Sequence, residues 1–327
     1  MSVCSVVIPV YNAATTIERC VCSVLSQRFE DFELILVNDG SSDDSGRICD
    51  KLARKDHRIK VIHQRNGGPS MARNAGIGMS SGKYITFIDS DDFITPEYLS
   101  SFLMKEDIDI EIQGFTLSYE KDREDQVVVP SFTSICTISE LLEETELNGL
   151  VRGPVCKLFH ASIIKEHNIE FLQNFNYGED AVFVKNYLLF CAKARLISRS
   201  NYIYTHSSAE SLTSRFHKGS ELMDATRAEY ALFNKLRKRN PIGQSTWNIF
   251  LFNKSIDFYQ AVYNTIVDKD LTMQEKQSFM QNLDGELYCK IKCVNGIPPT
   301  FKIIRFVLSL FSMKNATKVL VMIFGKR

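Results

Sequence analysis

The sequence predicts an α/β protein built on a mostly parallel sheet with helices on both faces, followed by a helical C-terminal extension. Three observations predict it. Near-continuous apolar runs of four to eight residues recur over the first hundred positions, each followed by a polar loop and then by apolar residues at helical spacing. The runs lack the polar alternation of a one-sided sheet, so their strands are buried on both faces, as parallel strands are. From Glu221 onward the apolar periodicity is helical.

Residues 3–10 (VCSVVIPV) read as the first buried strand. After a turn at Tyr11 and Asn12, the positions Ile17, Cys20, Val21, Val24 and Leu25 fit one helix face. The cycle repeats with strand 33–37 (ELILV), a helix near 44–55, strand 59–62 (IKVI), a helix near 69–79 and strand 84–88 (YITFI). Strand and helix alternating at this interval imply parallel crossovers. Four polar loops, at Tyr11-Asn12, Asn38 to Asp43, Arg65 to Gly68 and Asp89 to Asp92, then lie at the carboxyl ends of the strands. That edge is where open α/β sheets bind ligands. Beyond residue 105 the pattern changes to strands 108–118 and 126–130, a helix over 138–148 and the segment 176–190 (NYGEDAVFVKNYLLF). Helices are expected over 222–238 and 246–267. The division expected is 1–105 as a ligand-binding half, 106–215 as a second half on the same sheet, and 216–327 as a helical region.

At 327 residues and 44% apolar content the chain can bury a sizeable core, which excludes disorder. Thirty-nine basic and thirty-nine acidic residues cancel, leaving no global field for nucleic acid. The nine cysteines include no C-x-x-C pair and fall mostly in apolar segments, so they read as reduced residues of a cytoplasmic protein. The start, MSVCSVVIPVYN, lacks a basic leader region, and no uncharged apolar run reaches about 18 residues, so a secreted or membrane-spanning chain is not expected.

Asp89, Asp91 and Asp92 place three carboxylates within four positions directly after the buried run 84–88. Mutual repulsion raises their pKa values unless a cation compensates, and a divalent metal is the obvious candidate. A capping or solvated-turn role for Asp91 and Asp92 is the plainer alternative.

The stretches VVIPVYNAATTIERCVCSVLSQ, LILVNDGSSDDS, NGGPSMARNAGIGMSSGKYITFIDSDD and GED occur in order, and together they resemble the inverting glycosyltransferases of family 2. The resemblance is close over 3–105, returns around 152–185, and is not seen beyond about 215. It implies the GT-A fold, a Rossmann-like sheet flanked by helices, and transfer of a sugar from a nucleotide-sugar, UDP-sugar foremost, with Mn2+ or Mg2+. By the same resemblance Asp39 reads the base; Pro9, Tyr11, Asn12 and Glu18 enclose the nucleoside; and Gly68 lets backbone approach the nucleotide. Arg73 pairs with the diphosphate or sugar, Asp91 binds metal, and Asp89, Ser90 and Asp92 hold ribose or metal-bound water. Glu179 and Asp180 form the acceptor-side acidic pair, Asp180 being the base that deprotonates the attacking hydroxyl. Arg152 and Lys157 are candidates for the acceptor side and His206 for the diphosphate. Each has a bland alternative: a turn at Asp39-Gly40, helix-end charges at Glu18, Glu179 and Asp180, a surface cation at Arg73. A nucleotidyltransferase or a non-catalytic nucleotide-sugar-binding scaffold would use the same motifs. The expected acceptor is a saccharide or lipid-linked saccharide, in cell-envelope polysaccharide synthesis.

No Asp or Glu follows Glu286, while eight Lys and Arg do. In TFKIIRFVLSLFS, Lys302, Arg305, Ser309 and Ser312 form a narrow polar stripe on an otherwise apolar helix. Residues 300–327 are therefore expected either to lie on a membrane surface, placing the protein peripherally on the cytoplasmic face, or to pack on the core with the cations reaching water.

Overall fold

A computed structural model describes residues 2–102, 104–105, 107–119, 124–173, 175, 177–206 and 216–325. Strands β1 (Cys4–Val10) and β2 (Phe32–Asp39) form where the apolar runs predict them, joined by helix α1 (Ile17–Leu25). Helix α2 (Ser45–Ala53), strand β3 (Ile59–Gln64), helix α3 (Gly68–Met79) and strand β4 (Tyr84–Phe87) complete the repeating part. Next come β5 (Phe93–Ile94), β6 (Ile110–Tyr119), β7 (Gln126–Val128), β8 (Ser134–Thr137) and α4 (Ile138–Asn148). Strand β9 (Lys157–His160), helices α5 (Ala161–Glu166) and α6 (Glu179–Leu188), and the long strand β10 (Lys193–His206) follow.

The sheet runs β3-β2-β1-β4-β9-β6-β10-β5, with β7 beside β6 and β8 beside β10. β3, β2, β1 and β4 are parallel, and so are β6 and β10, whereas β9 is antiparallel to both its neighbours. This is the mostly parallel, helix-flanked sheet expected, with antiparallel strands confined to its second half.

Both faces of the parallel half are covered. On one, Val6, Ile8, Leu34 and Leu36 pack with Ile17, Cys20, Val21 and Val24 of α1. On the other, α3 lies so close to β1 that a Cβ on Gly76 would stand 2.3 Å from a Val7 methyl carbon. Gly76 therefore serves helix-to-strand packing. Further along this sheet Phe87, Phe159, Phe171 and Phe183 form an edge-on and stacked cluster, with Phe171 and Phe183 stacked at 3.9 Å. Each such buried side chain contributes about 1.5–3 kcal/mol relative to exposure.

One polar knot interrupts the apolar strands. Glu33 of β2 lies beside Ser5 of β1 in register and accepts from the Ser5 hydroxyl at 2.6 Å, from Ser81 N–H at 2.6 Å and from Lys60 Nζ at 2.6 Å. The carboxylate thereby ties the amino ends of β1, β2 and β3 to the turn that starts β4. Burial works against ionising Glu33, but the bonds from Lys60, Ser5 and Ser81 outweigh it and lower its pKa from 4.5 to about 2.

The chain divides into two compact units, 1–174 with 183–209, and 175–182 with 210–327. In the second, α7 (Gly219–Arg239) and α8 (Gln244–Val267) pair through stacked Phe233 and Phe250, and buried Lys254 joins Glu229 to Asp257. Helices α9 (Met273–Gln281), α10 (Gly285–Ile291), α11 (Pro299–Leu310) and α12 (Met313–Phe324) complete it. Among the described residues no helix is long and apolar enough to cross a membrane. All nine cysteines are unpaired.

Glu33→Ala is expected to cost about 2 kcal/mol, because its buried donors lose their acceptor. The folded pKa is depressed, so this contribution is present above the ordinary glutamate range and is lost as pH falls from 4.5 towards about 2. Urea melts of the parent and variant at neutral pH and along an acid series should converge at the acid end; a constant gap would refute the assignment.

Candidate active site

The carboxyl ends of β1, β2 and β4 bring most of the predicted residues of the first unit to one edge. β2 ends on Asp39, which is 3% exposed, and its carboxylate is caged. Oδ1 accepts from Gln64 Nε2 at 2.8 Å and Gly67 N–H at 2.9 Å, and Oδ2 accepts from Gly68 N–H at 2.8 Å. Gly40, at φ +68°, permits this approach, since a Cβ there would sit 2.6 Å from the Asn66 nitrogen. The glycine pair thus presents its amides to Asp39, and Asp39-Gly40 is more than a turn.

Tyr11 and Asn12 follow β1 as exposed residues, Asn12 with φ +49°. Asn12 Oδ1 accepts from Ser42 N–H at 2.8 Å, and its own N–H donates to Ser41 Oγ at 3.1 Å, so the first loop is stitched to the second. Pro9 is half-buried near the end of β1, and Glu18 is exposed in the first turn of α1.

The three aspartates after β4 have separate environments. Asp89 pairs with the buried Arg73 guanidinium at 2.9 Å, and Arg73 also lies over the Phe171 ring, so Arg73 is not a surface cation. Asp92 is 1% exposed; Tyr202 donates its hydroxyl proton to Oδ2 at 2.6 Å, and Thr205 N–H donates to Oδ1 at 2.8 Å. Burial and the charges of Asp89 and Asp91 push the Asp92 pKa well up. The Tyr202 oxygen also accepts from Asp89 N–H at 3.2 Å, so one phenol spans the loop. Asp91 is exposed as a residue, yet crowding of its carboxyl by surrounding atoms and the charge of Asp89 raise its pKa. Among the described residues no basic side chain forms an ion pair with it. Ser90 is half-buried between them.

Sequence reasoning missed Arg19, Gln64, Tyr202 and Thr205. Arg19 donates to the Asp91 carbonyl at 2.6 Å and to Thr205 Oγ1 at 3.1 Å while lying over the Phe93 ring, which clamps the acidic loop to β10. These partners are far apart in sequence, and only the register Asp39↔Gln64 brings Gln64 into place.

Other candidates fall elsewhere. Lys157 is 1% exposed, and its ammonium donates to the carbonyls of Leu150, Gly153 and Val155. It staples the loop before β9 and does not line an open acceptor surface. Arg152 is exposed on that loop. His206 ends β10, but its side chain lies outside the described residues. Glu179 and Asp180 belong to the second unit, half-buried in the first turn of α6 after Gly178, whose φ is +75°. Among the described residues, no three or more His, Cys, Asp or Glu side chains converge as a complete metal cage.

The glycosyl transferase family 2 model matches residues 5–167. The glycosyltransferase GlyG of Streptococcus pneumoniae is 30% identical over 227 residues, 65% of this chain and 73% of GlyG. The chain belongs to glycosyl transferase family 2. Three of the four ordered stretches, those between residues 6 and 92, lie within the matched residues, and GED at 178–180 lies beyond them. The glycosyltransferase EpsJ of Bacillus subtilis is 32% identical over 209 residues, 61% of this chain and 60% of EpsJ, so the match spans under two thirds of that relative. Among solved structures, residues 1–349 of Staphylococcus aureus TarS in complex with UDP-GlcNAc superpose with a TM-score of 0.63 at 18% identity, covering 100% of this chain and 91% of that one. That likeness establishes the GT-A fold, helical extension included.

Tyr202→Phe removes the proton donated to Asp92 and the acceptor for Asp89 N–H while keeping the ring. Turnover is expected to fall about tenfold, with a stability loss of only about 1 kcal/mol. Steady-state kinetics beside thermal melting checks this; full activity would show that the phenol does not position the loop.

Proposed function

We propose that this family 2 glycosyltransferase moves a sugar from a UDP-sugar to a hydroxyl of a saccharide or lipid-linked saccharide, with inversion and with the help of a divalent cation. The observation that carries the donor assignment is the Asp39 cage. Each carboxylate oxygen has two acceptor sites. Gln64 and Gly67 fill those of Oδ1, and Gly68 takes one of Oδ2, leaving one acceptor position. A single remaining acceptor suits uracil, which offers one imino N–H on that edge, better than guanine, which offers adjacent N–H donors. The TarS complex with UDP-GlcNAc supports the same donor class. Tyr11 and Asn12, exposed beside this cage, would enclose the nucleoside, with Pro9 and Glu18 flanking it.

The acidic loop fits a cation. Arg73 balances Asp89, and Asp92 is held by Tyr202 and Thr205. Asp91 retains a carboxylate without an ion pair among the described residues, in a field that disfavours its charge. A hard ion such as Mg2+ or Mn2+ takes oxygen ligands and keeps substrate phosphates in its shell, so Asp91 with help from Asp89 suffices. When bound, such an ion supplies positive charge for the diphosphate leaving group. Ser90 and Asp89 would orient the ribose, and Arg73, through Asp89, holds that carboxylate in place.

Asp180, supported by Glu179, would take the proton of the acceptor hydroxyl as it attacks. The carboxylate need not be strongly basic, because the hydroxyl becomes acidic as its bond to the sugar forms. One displacement from the face opposite the departing UDP inverts the anomeric carbon. A lipid-linked acceptor in cell-envelope polysaccharide synthesis suits a station on the cytoplasmic membrane face.

Asp91→Ala should abolish the metal-dependent part of UDP binding and reduce transfer to background, with melting unchanged because the residue is exposed. Calorimetry with UDP with and without Mn2+ reads this directly; an active, folded variant would remove Asp91 from the metal site. Asp180→Asn should leave UDP affinity intact while turnover drops about 100-fold. Free UDP as product distinguishes transfer from nucleotidyl chemistry, which would release pyrophosphate.

A further inference from the structure

The end of the second unit carries a surface that glycosyl transfer does not use. Helix α11 turns Phe301, Ile304, Val307 and Leu308 inward, and α12 buries Ala316, Thr317, Leu320 and Phe324. α11 ends at Leu310, so Ser312 of the expected polar stripe lies beyond it, and of the apolar residues around that stripe half pack on the unit and half do not. Ile303, Phe306 and Leu310 remain 42%, 62% and 59% exposed at successive spacings of three and four, which sets them in one row. Lys302, Phe306 and Ser309 form a second row that shares Phe306.

That second row borders a cleft of about 480 Å³ between α10 and α11, lined by Tyr288, Lys292, Lys302, Arg305, Phe306 and Ser309 among others. Arg305 donates to the Val294 carbonyl at 2.6 Å, which fixes its guanidinium at the cleft wall. Among the described residues no carboxylate lines the cleft. Among the described residues none pairs with Lys292, Lys302, Lys314 or Lys318, and the sequence offers none after Glu286. A cationic pocket and an exposed apolar row thus meet at Phe306.

We propose that α10–α12 dock on an anionic phospholipid bilayer, the cleft receiving a headgroup phosphate while Ile303, Phe306 and Leu310 enter the acyl boundary. Charge selects this occupant. A second copy docked through the same face about a two-fold axis would bring the cationic clefts together unneutralised. An anionic surface satisfies cations and apolar row at once, as it does for amphipathic helices lying in the interface. The inference is independent of the donor and the metal, so it can fail while the catalytic reading stands.

The full-length chain is to be co-sedimented at low ionic strength with vesicles of phosphatidylcholine alone and of an equal mixture with phosphatidylglycerol. Binding is expected to the mixture only and to weaken with salt. Lys292→Gln with Lys302→Gln should weaken it about 30-fold, from the loss of two cations near the surface. Phe306→Asn should weaken it with the charges intact. Both variants should keep UDP affinity and melting temperature, because the altered positions are exposed. Absence of vesicle binding, equal binding to both vesicle types, or indifference to the variants would overturn the proposal. So would calorimetric binding of inorganic phosphate without vesicle binding, which would mark a site for soluble anions, or self-association abolished by Phe306→Asn, which would mark a contact between copies.

Discussion

Three carboxylates packed at the end of a strand buried on both faces are the constraint around which this half of the molecule is arranged. Left alone, Asp89, Asp91 and Asp92 would drive protons onto one another. Each is instead given a different environment: a buried guanidinium for Asp89, a phenol and a backbone amide for Asp92, and for Asp91 only a carbonyl clamp from Arg19. Asp89 and Asp92 have an ion-pair or hydrogen-bond partner, and Asp91 has no ion pair among the described residues, the position to which the proposal above assigns a cation.

The same division of labour separates the two edges of the parallel sheet. At the amino edge, the donors around Glu33 hold it so firmly ionised that it keeps its charge down to about pH 2. At the carboxyl edge, Asp39 is held by three donors but keeps a free acceptor position. One carboxylate is fully taken up by the fold, and the other is the one to which the proposal above assigns the base of the donor.

The first half of the fold was legible because its strands are continuous apolar runs and its helices keep strict spacing. Strand β10 was not. In KARLISRSNYIYTH the alternation breaks at Arg199 and Ser200, and the register against β6 shifts on both sides of Ser200, so no period of two survives. The short strands β8 and β9 likewise offer four residues each, too few for a pattern. Asp39 and the acidic loop stood out from local sequence and family resemblance. Tyr202 and Arg19 did not, since a phenol in a broken strand and a cation on an amphipathic helix give no local sign of partners more than seventy positions away. Lys157, a candidate for the acceptor side, heads β9 with its ammonium held by three inward carbonyls, which no local pattern announces.

The attachment of Asp92 to Tyr202 and Thr205 also has a temporal meaning. A chain made from its amino end completes β1 to β4 and displays the acidic loop long before β10 exists. The partners of Asp92 arrive more than a hundred residues later, on β10 itself, the strand that lies between β6 and β5. Contacts of such sequence separation form late. For the 110 residues that separate Asp92 from Tyr202 the nascent chain therefore holds the acidic loop by Arg19 and Arg73, and Asp92 gains its own partners only with the last strand of the sheet.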